Sequence, residues 1–273
     1  YMTPERKESV NFSDPYMEAE VVMAVYERSG FENFFASLSE SFQKTFIRES
    51  RWELILEGIV TTVIISLFAI LGGTVLGFLL YLSARSKYKV VSRITKVIAK
   101  VYSRLIAGTP ALVILMLLFY VVFGQIDVDG IIVATVGFVL IFGAFVYGQL
   151  ELTVEGVDKG QTEAAYALGY SRNRTFFRIV LPQAMKMFIP VYSSEIIGLI
   201  KATSVVGYIA VNDLTKMGDI IRSNTYEAFF PLIAVAVIYF LITWGASALL
   251  NIVRIKLEPK RRKNKNVLKG VVR

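Results

Sequence analysis

The sequence contains no cysteine and no histidine. Their absence excludes disulfide bonds, thiolate nucleophiles, zinc sites built on Cys or His, and imidazole acid–base chemistry. The chain also lacks a glycine-rich phosphate loop ending in Lys-Ser or Lys-Thr. It is therefore not expected to bind and hydrolyse nucleotide by that route. We assign it no catalytic residue and no metal site.

Apolar residues, by contrast, are abundant. They make up 55% of the 273 residues, and the mean hydropathy is +0.55. Charge-free runs occupy residues 58–84, 105–126, 130–150 and 228–253. About 20 apolar residues cross a hydrocarbon core of ~30 Å, so each run is long enough to span. Residues 187–212 are also long enough but carry Glu195 and Lys201. The pattern predicts an all-α polytopic membrane protein with about five transmembrane helices.

The distribution of basic residues predicts the orientation of these spans. The net charge is +8, and membrane topology explains it better than nucleic-acid binding does, because Lys and Arg concentrate in cytoplasmic loops. The segment after the first span and the C-terminal segment are rich in bases, whereas the link at residues 125–130 carries Asp127 and Asp129 and no base. Five spans with the N-terminus outside and the C-terminus inside place every loop rich in Lys and Arg in the cytoplasm.

One polar, basic segment between two apolar ones carries a specific motif. Seven positions at fixed spacing define it: Glu163, Ala164, Ala165, Gly169, Ile179, Leu181 and Pro182. These positions resemble the "EAA" loop of bacterial ABC importer permeases. We expect two short helices here, with Thr162 capping the first, Gly169 ending it in the left-handed conformation, Ser171 capping the second, and Pro182 ending or bending the second.

Other segments fit the polar amino acid branch of that family. They are residues 108–113 (Gly-Thr-Pro-Ala-Leu-Val), 159–161, 181–184 and 201–204. The resemblance covers roughly residues 53–258. It departs from the branch at Ala107, where an arginine is usual, and Arg104 is a possible replacement.

The resemblance implies the type I ABC importer permease fold and a position in the bacterial inner membrane. In that family the loop docks in a groove of a cytoplasmic ATPase dimer, with Glu163 as its polar anchor. In that family two permease subunits enclose the substrate path, and for this chain we expect a homodimer. The chain itself binds no cofactor, because ATP and Mg belong to the partner ATPase. A helix N-terminal carboxylate exposed to solvent is the alternative interpretation of Glu163.

Residues inside the spans supply candidates for the substrate path. Charged groups within a span usually face water, a substrate or each other, which applies to Glu195 and Lys201. On one regular helix they lie about 9 Å apart along the axis and about 120° apart around it, so a direct ion pair is not expected. The hydroxyls of Thr109, Thr203 and Ser204 are further candidates. Alternatively, Lys201 extends to an interface, Glu195 pairs with another helix, and Thr109 is simply bonded at a kink.

The N-terminal segment resembles a stretch of extracellular amino-acid-binding proteins, on residues 3–6 and 10–16. The expected domains are therefore residues 1–30, a remnant of a fused substrate-binding domain; 31–55, a linker; 56–258, the permease domain with its coupling loop at 155–183; and 259–273, a basic cytoplasmic tail. A remnant this small is expected to be poorly ordered and unable to bind ligand alone.

The expected function is that of the membrane subunit of an ATP-driven importer for polar or charged amino acids. A gradient-driven secondary amino acid transporter is the alternative, although such transporters usually contain internal repeats. The sequence does not distinguish one amino acid cargo from another.

Overall fold

A computed structural model describes residues 38–257, which form helices and connecting turns with no β-strand. The predicted N-terminal remnant, most of the linker and the basic tail lie outside these residues. Two short helical turns, Gln43–Ile47 and Arg48–Ser50, precede the first long helix. The helices are α1 Trp52–Ala84, α2 Lys89–Ala107, α3 Ala111–Met116, α4 Gly130–Glu155, α5 Lys159–Ala167, α6 Arg172–Thr175, α7 Leu181–Ala202, α8 Leu214–Thr225 and α9 Phe229–Leu257.

Three of these helices continue as turns of another type. A π-helical turn, Leu117–Val122, extends α3, and another, Phe176–Val180, joins α6 to α7. A 3₁₀ turn, Thr203–Ile209, extends α7. As a result, the helical path from Arg172 to Ile209 is 38 residues long.

Within residues 38–257, four helices are long and apolar enough to cross a membrane, and a bent pair is a fifth if its two helices form one span. The four are Trp52–Ala84, Gly130–Glu155, Arg172–Ile209 and Phe229–Ile252. The bent pair is α2 with the segment Ala111–Val122, whose axes differ by 110°. The predicted all-α membrane architecture is thus confirmed, and the break at Gly108–Pro110 falls where the sequence allowed a kink at Thr109.

The centre of the molecule is the contact between α1 and α4, where glycines let the two backbones approach. A Cβ atom added to Gly77 would lie 2.6 Å from the carbonyl oxygen of Gly143, and one added to Gly143 would lie 2.8 Å from Leu76. Phe138 and Phe142 of α4 are fully buried beside this contact. Since no side chain separates the helices there, α1 and α4 form one tightly packed pair.

The short helix α8 is fixed to both α1 and α9 by hydrogen bonds around its first residue. The buried carboxylate of Asp213 accepts hydrogen bonds from the backbone N–H groups of Thr215 and Lys216, both at 3.0 Å. It also accepts one from the hydroxyl of Tyr239 in α9, at 3.1 Å. The N–H of Leu214 donates to the Thr62 hydroxyl of α1 at 3.2 Å. The Asp213 carboxylate therefore joins α8 to α9, and the neighbouring Leu214 N–H joins α8 to α1.

Candidate functional site

The motif segment folds as two helices joined by a tight turn, as predicted. Gly169 has φ +79°, and the N–H of Tyr170 donates to the carbonyl of Ala165 at 3.0 Å. This is the Schellman arrangement, which satisfies the last carbonyls of a helix and favours glycine at its turn. The Ser171 hydroxyl then accepts from the N–H of Arg174 at 3.5 Å and caps α6. The roles predicted for Gly169 and Ser171 are confirmed.

One local prediction for this segment is wrong, and one of the two alternatives given for Pro182 is excluded. The residue that caps α5 is Asp158, which accepts from the N–H of Gly160 at 2.9 Å, and not Thr162. Helix α5 begins one turn earlier than expected, so Thr162 lies inside it. Pro182 does not end a helix. It lies in the first turn of α7, where the π-helical turn gives way to α-helix and a missing N–H is tolerated.

The seven motif residues divide between an exposed and a packed set. Glu163, Ala164, Gly169 and Pro182 are exposed, Ala165 is buried, and Ile179 and Leu181 are half-buried. Leu168, which directly precedes Gly169, is 77% exposed at the tip of the turn. The segment therefore offers a carboxylate, small side chains and an apolar tip on its outer surface, while its other side packs on the protein.

An aromatic residue attaches this segment to the end of α1. Phe176 is only 3% exposed. Its ring centroid lies 6.2 Å from that of Tyr81, and the guanidinium carbon of Arg85 lies 3.9 Å from the Phe176 centroid, a cation–π distance. The sequence carries no signal for these partners of Phe176, because they lie so far away along the chain.

The charged span residues lie in a cavity between α7 and α9. The cavity has a volume of about 700 Å³, and Glu195 and Lys201 both line it. Ser193 and Gly198 of α7 and Ser247, Asn251 and Arg254 of α9 contribute further to its wall. Glu195 also lines a second cavity of about 390 Å³, together with Ser103 and Ala107 of α2 and Gln149 of α4. Glu195 thus borders two cavities, one walled by α7 and α9 and the other by α2 and α4.

The predicted hydroxyls are not part of this cavity. Thr203 is fully buried and donates to the carbonyl of Ile200 at 2.7 Å. Thr109 donates to the carbonyl of Leu105 at 2.8 Å, next to the break between α2 and α3. Ser204 lines a different cavity, with Tyr208 and Lys216. The structure brings Glu195 and Lys201 together and leaves the three hydroxyls elsewhere.

Sequence reasoning missed the contribution of α9. Ser247, Asn251 and Arg254 are spaced four and three residues apart in an otherwise apolar helix, so they share one face. That polar stripe was visible in the sequence and could have identified the second wall. Within residues 38–257, no group of three acidic residues is placed to hold a metal ion.

Comparison with known families gives one match over most of the chain. The model of the family described as binding-protein-dependent transport system inner membrane component matches residues 73–263. A relative from Rickettsia bellii, named a putative glutamine transport system permease protein, is 32% identical over 205 residues, covering 74% of this chain and 92% of the relative. The L-cystine transport system permease protein of Bacillus subtilis is 29% identical over 214 residues, covering 78% and 90%.

Solved structures show the same architecture. A crystal structure of an amino acid ABC transporter with histidines superposes with a TM-score of 0.67 at 27% identity, over 86% of this chain and all of the other. An inward-facing structure of the MetNI methionine ABC transporter superposes with a TM-score of 0.62 at 17% identity, over 77% and 99%, and is evidence of fold alone.

Proposed function

Because the chain belongs to the family of inner-membrane components of binding-protein-dependent transport systems, we propose that it is the permease subunit of an ATP-driven amino acid importer. Its family and its several apolar helices make it a multi-pass inner-membrane protein. The amino acid cargo is supported by the glutamine and cystine permeases among its relatives and by the amino acid transporter it superposes on. The orientation has the N-terminus outside and the motif segment in the cytoplasm, as the loop charges favour.

The observation that carries this proposal is the outer surface of α5 and its turn. Glu163 and Ala164 are exposed on α5, and Leu168 is almost fully exposed beyond it. A small, partly apolar surface around one carboxylate fits a groove in a partner, and small residues allow that partner to approach closely. The partner is the cytoplasmic ATPase, which hydrolyses ATP. Movement of the ATPase reaches the spans through α6, Phe176 and the continuous helix that begins at Arg172.

The test is assembly and transport by variants of this surface. Glu163→Lys or Ala164→Trp should reduce co-purification of the ATPase and uptake by about tenfold or more. The first variant reverses the charge at the interface and the second overfills the groove, and we expect each to weaken binding by more than about 1.4 kcal/mol. Gln161→Ala is the matched control for Glu163→Lys, because Gln161 is exposed and lies about 160° around the same helix from Glu163. Normal assembly and uptake in both variants would remove the coupling role from this surface.

The gradient-driven alternative makes a different prediction. If uptake in vesicles persisted after ATP was depleted while an ion gradient was kept, the chain would be a secondary transporter. We expect uptake to stop.

For the substrate path we propose the cavity that Glu195 and Lys201 line. An ammonium group and a carboxylate that line one cavity match the two charges of an amino acid, and both groups are within a span, where charge is expensive unless it is used. Lys201→Met and Glu195→Gln should each reduce uptake while the ATPase still co-purifies. Lys186→Met is the control, because this exposed lysine of α7 lies outside the cavity. Unchanged uptake in a fully assembled complex would exclude the path role.

In the same arrangement, two copies of the permease enclose the path, with the ATPase pair below and a substrate-binding protein outside. The fused receptor domain predicted at the N-terminus receives no support from the matched region, residues 73–263. It stays a prediction from residues 3–16 alone.

A further inference from the structure

A further polar cavity lies where the motif segment meets the ends of α1 and α4. Its volume is about 540 Å³, within the range of about 300–1,000 Å³ that is usual for small-molecule sites. Arg85, which follows the last residue of α1, lines it together with Glu155, the last residue of α4. Lys159 and Arg172, the first residues of α5 and α6, are the other charged residues of its wall. We call it the junction cavity.

Positive charge is in excess in the junction cavity. Its wall carries three cations and one carboxylate, that of Glu155. None of the three cations forms an ion pair with a carboxylate among residues 38–257, although Glu163 lies one turn beyond Lys159 on α5. The wall therefore keeps two unbalanced positive charges.

Three hydroxyl groups add neutral hydrogen-bonding capacity to this wall. They belong to Thr162 and Tyr166 of α5 and to Thr175 of α6. Thr175 is only 1% exposed, and its hydroxyl oxygen has no hydrogen-bond partner among the residues that the structure describes. Buried hydroxyls in proteins nearly always bond to a neighbour, to water or to a ligand. The partner of Thr175 is therefore to be sought in the cavity that it borders.

The C-terminal segment of the chain does not fit this cavity. Residues 259–273 contain several Lys and Arg residues and no Asp or Glu. If they entered the cavity, they would add to its excess positive charge. The cavity is thus suited to a separate, negatively charged ligand.

We infer that the junction cavity binds a small anion through a phosphate group. A phosphate monoester carries close to two negative charges at neutral pH, which balances the excess, whereas a carboxylate carries one. The Arg85 guanidinium lies over the Phe176 ring, which fixes its plane while its N–H donors lie around the edge. Phosphate oxygens accept from such planar donors and from ammonium and hydroxyl groups at the same time. The volume leaves room for an organic part, whose amino or hydroxyl groups Glu155 would accept from.

An anion in the junction cavity would join the motif segment to two spans. Arg85 and Glu155 are at the ends of α1 and α4, whereas Arg172 and Thr175 belong to the segment. Binding does not depend on the proposed function, but its consequence for transport does. If the segment transmits movement of the ATPase, a phosphate that bridges these elements should increase the amount of substrate moved per ATP.

Binding is measured on the purified full-length chain without the ATPase, because the ATPase binds phosphate groups itself. The melting temperature is recorded against millimolar inorganic phosphate, with chloride keeping the ionic strength constant, since a ligand of the folded state raises it. Arg172→Gln should raise the apparent dissociation constant by about tenfold or more, because a charge-assisted hydrogen bond is lost. Arg172→Lys should retain part of the affinity. Arg174→Gln is the matched control, since this exposed arginine of α6 does not line the cavity.

Thr175→Val is a sharper test, because its two expected effects have opposite signs. Valine has the shape of threonine without the hydroxyl. In the absence of phosphate the variant should melt at or above the wild type, because a buried hydroxyl without a partner is removed. The rise in melting temperature caused by phosphate should nevertheless be smaller than in the wild type. A lower melting temperature with an unchanged response to phosphate would show that the hydroxyl serves the fold, and would contradict the inference.

The source of the phosphate group is identified by repeating the melts in detergent with phosphatidylglycerol in place of inorganic phosphate. A response to inorganic phosphate that Arg172→Gln weakens identifies a soluble anion. A response to phosphatidylglycerol alone, weakened by the same variant, identifies a lipid headgroup. No response to either probe, or an equal response in Arg172→Gln and the wild type, would overturn the inference.

The assembled transporter supplies the remaining tests. Loss of the ATPase from Arg172→Gln in phosphate-free buffer would assign the charge of the cavity to a protein interface and overturn the inference. In vesicles, phosphate on the side of the ATPase should raise uptake per ADP released in the wild type and in Arg174→Gln, and this rise should be lost in Arg172→Gln. Uptake that does not require ATP would refute the proposed function and leave the binding result intact.

Discussion

At the scale of single residues, Asp213 is a buried carboxyl that makes several hydrogen bonds. It is fully buried, and it caps α8 while accepting a hydrogen bond from Tyr239 of α9. Burial raises the pKa of the Asp213 carboxyl above its ordinary value, and the hydrogen bonds from Thr215, Lys216 and Tyr239 oppose this rise without cancelling it. The folded protein therefore favours the protonated carboxyl more than the unfolded chain does.

A raised pKa in an acid has a defined effect on stability. The contribution of Asp213 is fully present below its unfolded pKa, near 3.9, and is lost as the pH rises through the raised folded value. Asparagine caps a helix as well as aspartate does but does not ionise. As the pH rises from about 4 to about 8, we expect the melting temperature of Asp213→Asn to increase relative to the wild type.

Thermal melts of the purified complex across this pH range measure the effect. Asp213→Ala is the control: it should melt below the wild type at every pH, by roughly 1 kcal/mol or more of stability, because the cap is lost and Tyr239 loses its acceptor. A pH-independent difference between wild type and Asp213→Asn would contradict the linkage argument.

At the scale of helices, the pairing of α1 with α4 depends on glycine. A methyl group at position 77 would overlap the backbone of Gly143 and the Cβ atom of Val146, both at 2.6 Å. Backbone cannot move aside as a flexible side chain does, so the helices would have to separate. Protein interiors are close-packed, and separation exposes neighbouring contacts as well.

We therefore expect Gly77→Ala to destabilise the purified protein by about 1–3 kcal/mol, the usual cost of overpacking. Gly245→Ala is the matched control, since a Cβ atom there meets nothing within 4 Å. Alanine is the better helix former, so this control should be neutral or slightly stabilising. Equal melting temperatures for the two variants would show that α1 and α4 adjust more freely than their packing indicates.

The helices also show which features of the fold the sequence predicts and which depend on tertiary packing. The runs at residues 58–84 and 130–150 predicted α1 and α4 well, because length and apolar content alone determine a span. The 110° bend at Gly108–Pro110 was not predicted. Gly-Thr-Pro indicates a break, but the angle depends on what α2 packs against. Likewise, Gly169 and Ser171 follow local rules, whereas the contact of Phe176 with Arg85 depends on tertiary packing.

At the scale of the whole molecule, the side chain of Phe176 connects the motif segment to the spans. Phe176 lies between Tyr81 and Arg85 at the end of α1, and α1 packs on α4. Farther into the membrane, the Thr74 hydroxyl of α1 lies 2.7 Å from that of Tyr192 in α7. A displacement of the segment is thus imposed on α1 and α7 together.

Removing Phe176 should uncouple ATP hydrolysis from transport. Phe176→Ala leaves the exposed surface of α5 unchanged, so the ATPase should still bind and hydrolyse ATP. The aromatic and cation–π contacts together are worth roughly 1–2 kcal/mol, so we expect the amount of substrate moved per ATP to fall by up to about tenfold. Paired assays of uptake and phosphate release in reconstituted vesicles measure this ratio.

The neighbouring residue supplies the control for that experiment. Phe177 is 51% exposed and lies at the same level of the segment, and Phe177→Ala should keep the ratio near that of the wild type. If Phe176→Ala also kept the wild-type amount of substrate moved per ATP, the movement of the ATPase would have to reach the spans through the backbone alone.

The unbroken helical path from Arg172 to Ile209 has a mechanical consequence. At 1.5 Å per residue, Arg172 and Glu195 are about 34 Å apart along the axis. When a path of that length tilts as one body by about 5° about its cytoplasmic end, the far point moves sideways by about 3 Å, roughly the width of a water molecule. Under the proposed function, a movement too small to detach the α5 surface from the ATPase would then be large enough, at Glu195, to open or close the proposed path.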